Sequence, residues 1–270
     1  INDLVQEARI LETRGVRELS LVAQDLTAYG DDLDISTDLF TLLSMLLAGT
    51  TIPWIRLLYL YPTGISNELL ELMASDSRIV PYMDIPLQHV SDRVLKAMNR
   101  RYSQEQIIEL IRRVRTHLPE VALRTTFLIG FPGETEDDIA QLTEFIRSER
   151  IDHVGIFGYA NEEGCPAEKY DEHIAEDLKE RRIQAVMELQ STISAEILQK
   201  YVGTRETVLV EGLSRETDLL LAGRTRFQAP EIDGCVLIND GIASPGDMVD
   251  VEITEAQRYD LVGRIVITGA

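Results

Sequence analysis

The feature that most constrains this chain is a change of period near Gly203. Up to about residue 160, short apolar runs alternate with segments whose apolar residues recur three or four apart. After Gly203 only closely spaced strand-like runs remain. The first pattern is that of strands separated by helices, which pair in parallel through right-handed crossovers. The second is that of a small all-β unit. In the first region the strand runs are Glu18 to Ala23, Trp54 to Leu60, Ile79 to Ile85, Val121 to Ile129 and Asp152 to Tyr159. Five is too few for a closed eight-fold barrel, so a partial barrel and an open α/β sheet both satisfy the pattern.

Helix starts are legible from capping residues. Ser36, Ser66, Ser91 or Asp92, Ser103 and the Thr135/Asp138 pair precede helical periods, and Gly15 and Gly49 stop two of them. A loop spans 161–175. A long helix from Glu176 to Tyr201 carries Val186, Leu189, Ile193 and Ile197 on one face and ends at Gly203. Strands are then expected at Glu206 to Val210, Leu219 to Arg224, Val236 to Ile238, Met248 to Thr254 and Leu261 to Ile267, with turns at Asn239-Asp240-Gly241 and Pro245-Gly246-Asp247. Five such strands predict a five-stranded antiparallel β-barrel of the oligonucleotide-binding type. The domains are therefore 1–202 and 203–270.

The formal net charge is −20, and residues 203–270 alone hold 12 acidic against 6 basic residues. Gripping a nucleic acid needs a basic footprint, so nucleic acid is unlikely as the main partner. A basic protein suits this charge, and plain solubility explains it equally. Local basic clusters include Arg100-Arg101 and Arg112-Arg113-Arg115. No apolar run reaches membrane-spanning length. Cys165 and Cys235 stand far apart without CxxC spacing, so a disulfide is not expected and a cytoplasmic location fits. The chain opens without Met and reads as a fragment.

In α/β barrels the working groups gather where strands end. Here those ends hold Gln24-Asp25, Pro62 within Tyr61-Pro62-Thr63-Gly64, Gln88-His89, and Gly130-Phe131-Pro132-Gly133-Glu134. The last places glycines and a helix start beside a possible ligand, or is simply a tight strand-to-helix turn. His89 is a ligand contact or a satisfied structural residue. The four histidines show no metal-ligand spacing. Arg124 interrupts an apolar strand and needs an anionic partner, which a ligand carboxylate or an internal acid would supply.

These segments carry a resemblance. Thr125-Thr126-Phe127-Leu128-Ile129-Gly130-Phe131-Pro132-Gly133-Glu134-Thr135 resembles the fifth-strand signature of radical S-adenosylmethionine (SAM) enzymes. Val22 to Gly30, Asp84 to His89 with Met98 to Tyr102, and Tyr159 to Ala167 resemble segments of the methylthiotransferases within that family, which usually carry Thr where this chain has Cys165. Residues 203–270 resemble their terminal TRAM domain. The resemblance spans the whole chain and implies a partial radical SAM barrel, TIM-like with parallel strands, lacking its first strand and cluster loop. It assigns cofactor contacts to Gln24, Asp25, Pro62, Gln88, His89, Arg124, Thr126, Gly130, Phe131, Pro132, Gly133 and Glu134, and names no catalytic residue.

Two branches of the family differ in substrate. Arg56-Leu57-Leu58-Tyr59-Leu60-Tyr61-Pro62 and Ala229-Pro230-Glu231-Ile232-Asp233-Gly234 look like the branch that modifies an aspartate of small ribosomal subunit protein twelve. The alternatives are the branch that modifies an adenosine of transfer RNA, and a non-catalytic ribosome-interacting module. The chemistry implied is reductive cleavage of S-adenosyl-L-methionine at a 4Fe–4S cluster, hydrogen abstraction from the aspartate β-carbon, and transfer of a methylated sulfur from a second 4Fe–4S cluster. An electron donor is implied as well. The CxxxCxxC of the family is absent from these residues. No cluster is therefore expected in this stretch, and by itself it is expected to be inactive.

Overall fold

A computed structural model describes residues 1–34 and 36–266. The first region contains α1 (Asn2–Thr13), β1 (Glu18–Leu21), α2 (Leu39–Gly49), β2 (Trp54–Leu57), α3 (Asn67–Ser75), β3 (Ile79–Asp84), α4 (Asp92–Ala97), α5 (Gln104–His117), β4 (Ala122–Ile129), α6 (Glu136–Glu149) and β5 (His153–Gly158). The five strands form one sheet in the order β1-β2-β3-β4-β5. Every pairing in it is parallel. The strands lie in sequence order, so right-handed crossovers put every helix on one face, as in an incomplete barrel wall and unlike a doubly wound open sheet.

The capping chemistry explains the helix starts. Ser66 accepts from the Leu69 amide, and Ser103 with Gln106 and Thr135 with Asp138 form reciprocal capping boxes. Ser36 does not cap α2: Asp38 does, accepting from the Thr41 amide. A carboxylate two residues closer to the apolar run is the better acceptor for those free amides.

Alternation along the strands divides the sheet into two faces. Ile55, Leu57, Ile79, Met83, Leu123, Phe127 and Ile129 point toward the helices and form the main core. Trp54, Val80, Tyr82 and Ala122 point the other way and pack on Leu209, Phe227 and Ala229 of the C-terminal unit. That face is what a closed barrel would enclose. Here the second unit covers its lower part.

Helix α7 (Glu176–Leu198) crosses from the sheet to the second unit, which contains β6 (Arg205–Leu213), β7 (Leu221–Arg224), β8 (Val236–Asp240), β9 (Met248–Ala256) and β10 (Leu261–Ile265). The expected end of the last strand, Ile267, lies outside the described residues. The five strands close into a barrel in the order β10-β8-β7-β6-β9. The barrel is mixed, which corrects the antiparallel expectation: β8 and β10 run parallel. A closed ring with an odd number of strands cannot alternate direction all the way round, so at least one neighbouring pair must be parallel.

Candidate functional site

The exits of β1 to β4 form one rim above the exposed face. After β1 the chain passes through exposed Gln24 to Asp25, whose carboxylate accepts from the Thr27 amide at 2.9 Å. Thr27 packs directly on the turn after β2: a Cβ added to Gly64 would lie 2.2 Å from Thr27 Oγ1. Pro62 is buried in that turn. The two exits are further tied by the Leu26 amide, which donates to the Tyr59 carbonyl.

Two bulky residues on this rim are held in the left-handed region, Tyr59 at φ 58° and Gln88 at φ 63°. Each such conformation costs on the order of 1–3 kcal/mol and persists where surrounding contacts fix it. Gln88 is fixed by backbone bonds on both sides, its amide donating to the Thr126 carbonyl and its carbonyl accepting from the Leu128 amide. Tyr59 is fixed by the Asp84 carboxylate, which accepts from its amide at 3.1 Å.

The segment Gly130–Glu134 is a Pro-Gly turn closed by the Glu134 amide bonding the Phe131 carbonyl, with Gly133 at φ 78°. Glu134 folds back under it. One carboxylate oxygen accepts from the Gly130 amide at 3.0 Å, and the other pairs with Arg182 of α7 at 2.8 Å. Burial raises the Glu134 carboxyl above its usual range, opposed by the Gly130 amide and Arg182. Phe131 is sandwiched edge-on by Tyr159 and Tyr170, and Pro132 is buried beside it. Gly130 at φ 87° has the aliphatic stem of Lys179 across it, 2.2 Å from where a Cβ would sit. Gly130→Ala is expected to cost about 2 kcal/mol in urea unfolding, from the backbone conformation and the displaced lysine together.

His89 is fully buried. Its Nδ1 accepts from the Ser91 amide at 2.9 Å, so the proton resides on Nε2, which has no hydrogen-bond partner and stands 3.7 Å from Glu134. Burial lowers its pKa to about 4. Because the folded value lies below the ordinary 6.5, the unfolded chain binds the proton first on acidification. The neutral ring's contribution is complete above pH 6.5 and is lost as pH falls toward 4. Unfolding free energy is expected to fall by about 2 kcal/mol between pH 7.5 and 5. In His89→Gln that slope should disappear. Asp138 is pulled the other way from its neighbours: burial works to raise it, yet bonds from Ser91, Thr135 and Arg93 hold it at about 2.

Arg124 lies deeper on the same face. Its Nη1 donates to Asp84 at 3.0 Å and to Thr126 Oγ1 at 3.2 Å, and its Nε stands 3.6 Å from Asp233 of the C-terminal barrel. The residues named from sequence therefore fall into three groups. Gln24 and Asp25 sit by Pro62. Gln88 and His89 sit by the Gly130–Glu134 turn. Arg124 and Thr126 are held with Asp84. Sequence reading missed Asp84, Tyr59, Lys179, Arg182 and Asp233. Only the apolar strand interrupted by Arg124 signalled that an acid was needed nearby.

For a nucleoside-bearing zwitterion the rim offers the exposed Gln24 side chain and the half-buried Gln88 side chain beside the Gly130 turn, while the buried Nε2 of His89 is left without a partner. These suit S-adenosyl-L-methionine. Iron–sulfur ligation is another matter: among the described residues no group of three or more His, Cys, Asp or Glu could hold a metal. The thiol of Cys235 is also pushed up to about 12, by burial and by Asp260. Also among the described residues, no helix is long and apolar enough to cross a membrane.

Comparison with known proteins identifies both regions of the chain. The profile of the radical SAM superfamily matches residues 1–146, and that of the TRAM domain matches residues 202–266. The chain is 53% identical over 266 residues to a protein of Desulfotalea psychrophila named ribosomal protein uS12 methylthiotransferase RimO, covering 98% of this chain and 60% of that one. It is 47% identical over 262 residues to the protein of the same name from Pelobacter propionicus, covering 97% and 58%. The chain thus spans about 60% of the length of these relatives. Among solved structures, coproporphyrinogen III oxidase (HemN) from Escherichia coli, described as a radical SAM enzyme, superposes with a TM-score of 0.55 at 13% identity over 83% of this chain and 60% of that one. That likeness bears on the fold alone.

Proposed function

Since the chain belongs to the radical SAM superfamily, whose members use S-adenosyl-L-methionine with a 4Fe–4S cluster, we propose that it is the catalytic-sheet and TRAM portion of a methylthiotransferase. In this reading it acts on an aspartate of ribosomal protein uS12, in the cytoplasm, with residues 1–202 and 203–270 as its two domains. The observation that carries the reading is identity of 53% along nearly the whole chain to a protein named for that reaction. When bound, the cofactor supplies hydrogen-atom abstraction at an unactivated carbon.

The chain's own residues bind and orient. Gln24 and Gln88 present side-chain amides to the polar groups of the cofactor. The Gly130 turn is assigned to the same side of the cofactor, its shape held by Glu134 from beneath and Lys179 from beside. Thr126 and Arg124 belong to the same assignment, with Nη2 of Arg124 left outside its contacts with Asp84, Thr126 and Asp233. Pro62, Phe131 and Pro132 are buried packing residues that give these loops their shape and exclude water. Asp25, His89 and Gly133 act through the turns they fix.

The acidic C-terminal barrel is assigned to recognition of the basic protein substrate, and an electron donor acts on the cluster. Two 4Fe–4S clusters belong to the working enzyme. Their ligands are not among these residues, so this stretch alone is expected to transfer no methylthio group.

Binding separates the readings. This chain is titrated with purified uS12 and, side by side, with unmodified transfer RNA across a salt series. The proposal expects binding of the protein and none of the RNA. Steeply salt-dependent RNA binding would assign the chain to the transfer-RNA branch instead.

A further inference from the structure

The segment Ala229-Pro230-Glu231-Ile232-Asp233-Gly234 lies between β7 and β8 and ends on the face of the sheet opposite the helices. Ala229 is fully buried against that face. The Asp233 carboxylate, 2% exposed, is reached by groups from three consecutive strands. One oxygen accepts from Tyr82 of β3 at 2.7 Å and from the Ala229 amide at 2.8 Å. The other stands 3.6 Å from Arg124 Nε of β4 and 3.6 Å from His153 Nδ1 of β5. Gly234 permits this approach, since a Cβ there would lie 1.8 Å from the Tyr259 carbonyl.

Arg124 then passes the contact upward. Its Nη1 donates to one oxygen of Asp84, and the other oxygen of Asp84 accepts from the Tyr59 amide. Tyr59 is the left-handed residue at the exit of β2. Leu57 and Leu60 on either side both face the main core, which leaves Tyr59 as an extra residue thrown outward, 45% exposed at the rim.

We propose that Asp233 is a positioning residue for the catalytic rim: the C-terminal barrel fixes the Arg124–Asp84 pair through it, and that pair holds Tyr59 in its strained conformation at the cofactor face. The proposal rests on the functional reading only in calling the rim catalytic. Its mechanical part is independent of the substrate. A guanidinium between two carboxylates has a defined place, and with one carboxylate removed it follows the other or turns to solvent.

The test uses Asp233→Asn in this chain. The amide keeps an oxygen for Tyr82 and Ala229 and turns a donor toward Arg124, so the charged arm alone is lost. Hydrogen exchange at the Tyr59 amide is expected to quicken at least tenfold relative to amides of α2. Arg124→Gln should give the same acceleration, which covers the case of a variant that folds poorly. In the Arg124→Gln background, Asp233→Asn should add nothing further at Tyr59. In the full enzyme Asp233→Asn should lower kcat and leave KM for uS12 unchanged. Unchanged exchange at Tyr59, or an equal effect of Asp233→Asn with Arg124 already gone, would overturn the relay. Failure of uS12 binding with the relay intact would instead overturn the functional reading.

Discussion

Glu18→Ala is expected to cost about 3–5 kcal/mol and to unlatch the two units from each other. Glu18 is the shared counter-ion of two buried guanidiniums. Its oxygens pair with Arg56 at 2.5 Å and with Arg224 of the C-terminal barrel at 2.8 Å. Arg56 has no exposed surface; it donates to the Arg226 carbonyl at 3.0 Å and stacks on the Tyr82 ring. Arg224 keeps a second acid, Glu211 at 2.7 Å, but Arg56 has no other carboxylate within bonding distance among the described residues. Truncation therefore leaves a charge in a dry interface, the costly way to break a buried pair. Urea unfolding checks the magnitude. Limited proteolysis near Tyr201 checks the unlatching, which should precede loss of the sheet. Glu18→Gln, which retains an acceptor for one partner, should fall between the two.

The second large effect belongs to the rim. Glu134→Ala removes the acceptor of the Gly130 amide and one carboxylate partner of Arg182, which is left with exposed Glu136. A buried donor without a partner costs about 1–3 kcal/mol, and loss of a charged partner adds to it. A total of about 3 kcal/mol is expected, with the junction between β4 and α6 loosening first. Glu134→Gln separates the parts. Its amide oxygen still accepts from Gly130 while the ion pair is gone, so roughly half of the loss should return. Thermal unfolding followed by tyrosine fluorescence reads both, since Tyr159 packs on Phe131 of the same turn.

Local chemistry made most of the sheet legible. Ser66, Ser103 and Thr135 announce their helices because a cap involves residues three apart. Gly15 and Gly203 follow theirs in the left-handed region at φ 84° and 86°, whereas Gly49 is still the last residue of α2 and Thr50 is its cap. The slip at Ser36 came from choosing between two cap-forming residues two positions apart. The parallel closure of β8 and β10 depends on counting strands around a ring, which no window of sequence reports.

The places of the candidate residues at strand ends were legible, and their partners were not. Strand ends located Gln24, Pro62, Gln88 and the Gly130 turn. That Arg124 required an acid was legible too, and the sequence left a ligand and an internal carboxylate equally open. The structure provides Asp84 from the neighbouring strand and Asp233 from the C-terminal barrel. Glu18 and Arg224 likewise meet across most of the chain. Such pairings depend on where a second unit docks, and pattern reading has no access to that.

The parallel pair in the C-terminal barrel also orders its assembly in time. Strands β6, β7 and β8 follow one another as a meander, and β9 with β10 forms a hairpin, so both pieces can form through near neighbours. Closure needs β10 beside β8 and β9 beside β6, which lie far apart in sequence. Contacts of that kind come late, because loop-closure entropy must be met before they stabilise anything. Until then β8 and β9 carry open edges, the form in which strands recruit other chains. The segment bearing Asp233 leads into β8, so it is anchored on only one side during that interval. Secure docking of the barrel on the sheet is therefore expected to be the last event in folding, after each unit has formed its own core.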